Sequence, residues 1–139
     1  MSRPSAPRPT DGELSILRIL WQRGPSTVRQ VHEQLARERP AAGYTTALKL
    51  LQIMAEKGLV DRDERDRTHV YRARLSEETT QRQLVRDLLD RAFGGSAGKL
   101  VMQALATKRA SAEELKDIRQ AIDDARHDKE VRRDDDARD

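Results

Sequence analysis

The residues whose types and spacing suggest chemistry lie on one face of the segment 44–57. Apolar residues recur there at i, i+3, i+4 and i+7, which predicts a helix with one buried stripe: Ala47, Leu50, Leu51 and Met54. The opposite stripe is polar and holds Thr45, Lys49, Gln52 and Glu56. Hydroxyl, amide and ammonium groups can meet phosphates and base edges without filling a DNA groove. An ordinary amphipathic helix with a solvated face would show the same pattern, so the neighbouring segments must decide.

Two further residues at the start of this helix belong to the same candidate surface. Thr46 adds a second hydroxyl next to Thr45. Tyr44 has two interpretations: its ring contacts the sugar-phosphate backbone or a thymine methyl, or it belongs to the core. The sequence leaves both open.

The segment after the helix predicts a β-hairpin. Gly58 should end the helix, because glycine adopts the left-handed terminal conformation at little cost. Leu59-Val60 and Val70-Tyr71 are short β-prone runs on either side of the sequence DRDERDRTH. A polar-faced helix followed by a charged hairpin is typical of a winged helix-turn-helix, which places one helix in the DNA major groove.

The hairpin tip carries three arginines that could contact phosphates, namely Arg62, Arg65 and Arg67. Four acidic residues lie among them and dilute their charge, so only one or two should reach DNA. Arg67 is the first candidate and Arg65 the second.

Two helices should precede this unit. Thr10 with Glu13 and Thr27 with Gln30 have the spacing of capping boxes, and Gly24-Pro25 separates the two helices. The expected inward residues are Leu14, Leu17, Leu20 and Trp21 in the first helix and Val28, Val31 and Leu35 in the second. Residues 10–75 are therefore predicted to form three helices plus a β-hairpin wing, preceded by a disordered arm at 1–9.

Residues 76–125 predict a helical domain whose function is dimerisation. Three helical stripes are narrow and aliphatic, so they cannot bury themselves well alone, and a bundle with a second copy would cover them. The residues expected at that interface are Leu84, Leu88, Leu89, Phe93, Leu100, Val101, Leu105, Leu115, Ile118 and Ile122. The alternative is a monomeric three-helix subdomain packed on the first domain. Residues 126–139 are expected to be a charged, disordered tail.

Composition supports this division. The net charge of the 139 residues is +3, but residues 1–75 hold 14 Lys/Arg against 9 Asp/Glu, whereas residues 76–139 hold 13 against 15. A basic half joined to a slightly acidic one favours a nucleic-acid module joined to an interaction module. No cysteine is present, which excludes disulfides and thiolate metal sites and fits a cytoplasmic protein. No run of 18 apolar residues exists, so no membrane insertion is expected.

An enzyme is the competing class of function. The three histidines, His32, His69 and His127, fall in different elements without metal-ligand spacing. Neither a Gly-rich phosphate loop nor a G-x-S-x-G motif occurs. We therefore expect no catalysis, no metal and no cofactor. A second alternative is a winged-helix protein-interaction module without sequence-specific DNA binding, against which the polar helix face argues.

The chain resembles the penicillinase-repressor (BlaI/MecI) family of bacterial transcriptional repressors, in an ordered set of motifs over roughly residues 10 to 125. The matching motifs are TDGEL at 10–14, ILW at 19–21, GPSTVRQV at 24–31, YTT at 44–46, EKGLV at 56–60, VY at 70–71, FGGS at 93–96 and EEL at 113–115, with Leu48, Leu51, Gln52, Arg67, Leu100 and Val101.

This resemblance implies a mainly α protein: an N-terminal winged helix-turn-helix followed by a C-terminal helical dimerisation domain. It implies a homodimer on double-stranded DNA with a palindromic operator. In the best-known members, repression is relieved by cleavage by a membrane-bound sensor metalloprotease. The chain departs from the family where Ile53 replaces a usual Arg, and where Gln103-Ala104 stands at the usual Asn-Phe cleavage dipeptide. The copper-responsive branch of the family carries a Cys-rich C-terminus, and because this chain has no cysteine, that branch's metal sensing is excluded.

Overall fold

The computed structural model describes residues 8–138, which form six helices and a small antiparallel sheet. In chain order the elements are α1 (Asp11–Arg23), β1 (Ser26–Thr27), α2 (Val28–Glu38), α3 (Tyr44–Lys57), β2 (Val60–Asp63), β3 (Val70–Ala73), α4 (Glu77–Ala92), α5 (Ala97–Thr107) and α6 (Ala112–Arg138). The chain divides into two compact units, Met1–Leu88 and Leu89–Asp139, and the division falls inside α4. The mainly α fold with a winged N-terminal unit is confirmed.

The sheet has three strands in the order β1-β3-β2. β3 is central: Tyr71 pairs with Ser26 on one side and with Arg62 on the other, both antiparallel. The sequence predicted only the hairpin of β2 and β3. β1 was missed because two residues carry no periodicity, and because Thr27 also has a cap signal.

The core of the first unit is aliphatic with one tyrosine. Its buried hydrophobic residues are Ile16, Leu17, Ile19, Leu20, Val28, Val31, Leu35, Ala47, Leu51, Met54, Leu59, Val60 and Tyr71. The stripes predicted for α2 and α3 are confirmed, apart from Leu50, which only packs against the rim of the core. The prediction for α1 was partly wrong, because Leu14 and Trp21 lie at the rim whereas Ile16 and Ile19 are buried. α1 contacts α2, α3 and β3, so its buried face is wider than a single stripe.

Local signals set the helix ends as predicted. The Thr10 hydroxyl accepts from the Glu13 backbone N–H at 3.3 Å, and the Glu13 carboxylate accepts from the Thr10 N–H at 2.9 Å. Thr27 and Gln30 form the same reciprocal pair at 3.2 and 3.0 Å. Gly58 ends α3 in the left-handed conformation at φ 82°.

One side-chain contact between α1 and α3 is not indicated by any local pattern in the sequence. The Glu13 side chain is buried, with 1% of the residue exposed, and its carboxylate accepts a hydrogen bond from Lys57 Nζ at 2.8 Å. A single carboxylate thus caps the start of α1 and ties it to the last residue of α3.

The first turns of α4 are anchored within the first unit. The indole Nε1 of Trp21 donates to the Leu75 carbonyl oxygen at 3.0 Å, just before the helix begins. Thr80 is buried, with 5% exposed. Arg8 pairs with Asp87 at 2.9 Å; Arg8 and Pro9 are the only described residues of the predicted N-terminal arm, whose other residues lie outside the described part of the chain.

In the second unit, the described residues of α5 and α6 include no buried side chain. Ser96 caps α5, and Ser111 with Glu114 forms a capping box before α6. The tail predicted to be disordered from residue 126 is instead helical to Arg138. No glycine or proline interrupts this segment, and oppositely charged residues such as Asp128 and Arg132 stand at helix-stabilising i, i+4 spacing.

Candidate nucleic-acid interface

The polar face of α3 is fully available on the surface of the first unit. Ala47, Leu51 and Met54 are each 0% exposed and hold the helix on the core. The side chains on the other face, Thr45, Thr46, Lys49 and Gln52, are all exposed. The structure therefore places these four predicted site residues on one accessible surface whose backbone is fixed from behind.

Tyr44 begins α3 and lies outside the buried core, because 48% of the residue is exposed. Its ring meets His32 of α2 edge-on, with 6.0 Å between ring centroids. Of the two interpretations the sequence left open, burial in the core is wrong. The ring is oriented by α2 but remains accessible at the end of the polar face.

A groove of about 340 Å³ lies between α3 and the wing. Its polar lining consists of Arg29, Tyr44, Gln52, Arg62, Arg67, Thr68 and His69, with Tyr71 at its floor. The fold thus brings together four residues named from the sequence, Tyr44, Gln52, Arg62 and Arg67. It adds Arg29 and His69, which the sequence analysis did not select. Arg29 lies in the first turn of α2, and that position was the only signal that could have identified it.

The three tip arginines differ in what they contact. Arg65 grips Asp63 through two nitrogens, with Nη2 at 2.8 Å and Nε at 3.1 Å from Oδ2. Arg62 pairs with Glu64, and a hydrogen bond with Tyr71 and then the charge of Glu64 raise the pKa of the Arg62 guanidinium. Arg67 makes no ion pair or side-chain hydrogen bond with any residue of 8–138, and it lines the groove. It is therefore the tip arginine whose charge is least compensated.

The base of the wing is tied to the end of α3. The Arg74 guanidinium donates to Asp61 Oδ1 from Nη2 at 2.7 Å and from Nε at 2.9 Å, joining β2 to the residue that follows β3. The same guanidinium passes close over Gly58, such that a Cβ there would lie 2.7 Å from Nη1. The glycine thus leaves room for the contact that sets the wing against the helix.

The residues predicted for dimerisation are incompletely covered in the single chain. Leu88, Val101, Leu115 and Ile122 are between 37% and 47% exposed. The remaining members of that set, Leu84, Leu89, Phe93, Leu100, Leu105 and Ile118, are half-buried. Gln103 and Ala104, at the positions of the family's cleavage dipeptide, are exposed on α5. Within residues 8–138, no helix combines the length and apolar character needed to cross a membrane.

The first unit has three helices and a three-stranded sheet, and the β2-β3 hairpin of that sheet lies beside the exposed polar face of α3. This arrangement defines a winged helix-turn-helix protein. The chain belongs to the penicillinase repressor family, whose family model matches residues 9–124.

Known relatives show the extent of the similarity. The transcriptional regulator BlaI of Mycobacterium tuberculosis is 47% identical over 62 residues, which cover 44% of each chain, so this chain spans less than half the length of that relative. The penicillinase repressor of Bacillus licheniformis is 21% identical over 118 residues, 85% of this chain and 91% of that one. The solved structure of hsRosR-S4 matches 88% of this chain and 94% of its own at a TM-score of 0.50 and 18% identity, a likeness of fold alone.

Proposed function

We propose that this chain is a transcriptional repressor that binds a palindromic operator in double-stranded DNA as a homodimer. The observation that carries the proposal is the groove in which Tyr44 and Gln52 of α3 lie together with Arg67 of the wing, beside the exposed polar face of the helix. Membership of the penicillinase repressor family, and relatives named as a transcriptional regulator and a penicillinase repressor, support it.

In this proposal α3 enters the major groove. Thr45, Thr46, Lys49 and Gln52 face base edges and adjacent phosphates, and Tyr44 contacts the backbone at the start of the helix. Arg67 binds a phosphate from the wing, with Arg65 as a weaker second contact. Base contacts from α3 would give the sequence preference, whereas the phosphate contacts would fix the register of the domain on the duplex.

The homodimer is proposed to form through residues 76–125. Its support is the apolar surface that the single chain leaves exposed on α4, α5 and α6, since a monomer gains nothing from exposing leucine and isoleucine at helical spacing. Residues 10–75 would then be the DNA-binding domain of each copy. Two such domains should contact half-sites one helical turn apart or a multiple of it, which is roughly 34–36 Å per turn.

Release of the operator is proposed to follow cleavage within α5. A dimer binds a palindrome tightly because its second half-site is met intramolecularly, and separating the domains removes that advantage. Gln103-Ala104 is exposed and is the candidate region for a membrane-bound sensor metalloprotease. Cleavage at a protease site engineered between Met102 and Ala106 should weaken operator binding, and unchanged affinity would show that dimerisation is not the switch.

The test of DNA binding compares two variants. One removes a phosphate contact, which positions the domain on the duplex, and the other removes a base contact, which gives the sequence preference. Arg67→Ala should weaken binding about equally on all duplexes and reduce the salt slope by roughly one unit. Thr46→Ala should instead change the preferred sequence in selection from a random pool. Arg18→Ala, an exposed arginine of α1 that does not line the groove, serves as the charge-matched control.

Measuring duplex binding over a series of salt concentrations also tests the second candidate function, a module that binds only proteins. A winged-helix module that binds only proteins would show no salt-dependent affinity for a random duplex. If neither Arg67→Ala nor Thr46→Ala changed affinity, salt slope or preferred sequence, this docking arrangement would be wrong.

A further inference from the structure

The wing contains a carboxylate that occupies an arginine expected to reach DNA. Asp63, the last residue of β2, accepts from Arg65 Nε and Nη2, the two-pronged geometry with which arginine also binds a phosphate. Arg65 is otherwise open to solvent, with 83% of its side chain exposed. The carboxylate thus occupies the Nε–Nη2 edge of the guanidinium, an edge through which arginine also binds a phosphate.

The carboxylate is held in place before any ligand arrives. The backbone N–H of Arg65 donates to Asp63 Oδ1 at 3.0 Å, which closes a short side-chain turn at the tip. Asp63 is also the more covered partner, with 27% of its side chain exposed. Hydrogen bonds from the Arg65 side chain and then its backbone lower the pKa of Asp63 to about 2, so the group is ionised at neutral pH.

The neighbouring residues show that acidic side chains engage some of the arginines at the tip and leave another without an ion pair. Arg62 is paired with Glu64 in the same loop. Arg67 and Asp66, also at the tip, make no ion pair with any part of the chain that the structure describes. Arg62 and Arg65 are thus engaged by acids within the wing, whereas Arg67 lines the groove without an acidic partner among residues 8–138.

We propose that Asp63 competes intramolecularly with DNA phosphate for Arg65, and so sets the affinity of the wing for the DNA backbone. This inference rests on the proposed function and deepens it by assigning an affinity-determining role to an acidic residue. In the free chain Arg65 is occupied, and its transfer to a phosphate replaces one charge-assisted pair by another with little net gain. Arg67 meets no such competitor and makes the productive wing contact.

The experiment measures binding of the full chain to a labelled duplex of random sequence over a series of salt concentrations. Asp63→Asn removes the charge but keeps an oxygen that can accept from the Arg65 N–H. Asp66→Asn removes the same charge at the same tip without releasing an arginine, and it is the matched control. Relative to that control, Asp63→Asn should bind about five- to tenfold more tightly near 0.1 M salt, with a salt slope steeper by about one unit, as one added phosphate contact requires.

A second comparison assigns the gain to Arg65. Arg65→Ala alone should change affinity less than twofold, and Asp63→Asn combined with Arg65→Ala should lose the whole gain. On a duplex selected from a random pool by the wild type, the gain should be of equal size, because a phosphate contact carries no sequence information.

The outcomes distinguish this inference from the proposed function. Equal affinities for Asp63→Asn and Asp66→Asn, with normal binding by the wild type, would overturn the competition and leave the repressor proposal intact. A gain that survives removal of Arg65 would also overturn it. A wild type that binds no duplex at any salt concentration would overturn both.

Discussion

Glu13 is a carboxylate that the fold buries only because two partners satisfy it. Burial alone raises the pKa of Glu13, but hydrogen bonds from Lys57 and from Thr10 outweigh it and lower the pKa below the usual 4.5. The ionised form therefore stabilises the fold above pH 4.5, and this stabilisation is lost as the pH falls through the lower pKa of the folded state.

Lys57→Met tests this contact at the residue scale. It keeps a long apolar stem but leaves the buried carboxylate with Thr10 alone, so the free energy of unfolding should fall by about 1–2 kcal/mol at neutral pH, less than for a fully buried pair because Lys57 is partly exposed. The deficit should shrink as the pH falls through the lowered pKa of Glu13, because protonation removes the charge that Lys57 compensates. Urea denaturation at neutral pH and at a pH below that pKa measures it. Lys49→Met, on the exposed face of α3, should leave stability within about 0.5 kcal/mol.

The sequence predicted Glu13 as a capping residue and nothing more. The cap was predictable because its partner is three residues away and the spacing is diagnostic. The contact with Lys57 spans 44 residues and depends on how α1 crosses α3, so no local pattern marks it. The position of Arg29 beside the groove likewise depends on the packing of α2, and its place in the first turn of that helix does not by itself indicate the groove.

At the scale of elements, two factors act on Gly58 at the end of α3: the left-handed conformation that ends the helix, and a tertiary contact with Arg74. Gly58 was predictable as a helix stop, and its φ of 82° confirms the left-handed conformation. The proximity of the Arg74 guanidinium, which also constrains this position, was not predictable from the sequence. β1 and the helical end of α6 were not predicted from the sequence, because a two-residue strand and a charged segment both lack apolar periodicity.

Gly58→Ala should therefore destabilise the first unit for two reasons. An alanine at positive φ is strained by about 1–2 kcal/mol, and the new methyl group displaces Arg74 from above the turn. Thermal unfolding should show the loss directly. The control is Gly12→Ala in α1, where the added carbon meets only ordinary contacts, the nearest at 3.5 Å, and where stability should be unchanged or higher. Equal stability of the two variants would contradict the account of Gly58.

At the scale of the whole molecule, the proposed dimer can be tested without disturbing the single-chain fold. Leu88 is 47% exposed, so Leu88→Asp adds a charge at a position that a monomer leaves in solvent. In a dimer seam the same unpaired charge costs several kcal/mol, and the dimer dissociation constant should rise more than about 100-fold. Sedimentation equilibrium measures this change.

The matched control for that variant is Val131→Asp. Val131 is 45% exposed on α6 but lies beyond the residues predicted to form the dimer, so this variant should sediment like the wild type. A wild type that sediments as a monomer at micromolar concentration would contradict the proposal for residues 76–125. The apolar stripes were predictable from helical periodicity. How two copies would associate through them was not predictable, because the sequence of a single chain shows no contact between copies.

The hydrogen bond from Trp21 to the Leu75 carbonyl gives the protein a built-in optical reporter. Trp21 is the only tryptophan in the sequence, so all indole emission of the natural chain arises at the point where the wing leads into α4. Indole emission shifts to longer wavelength when the ring becomes more hydrated. A movement of α4 away from α1, whether on operator binding, on dimer assembly or after a cut in α5, would thus change the colour and the anisotropy of that emission. The junction can be followed in real time without attaching a dye.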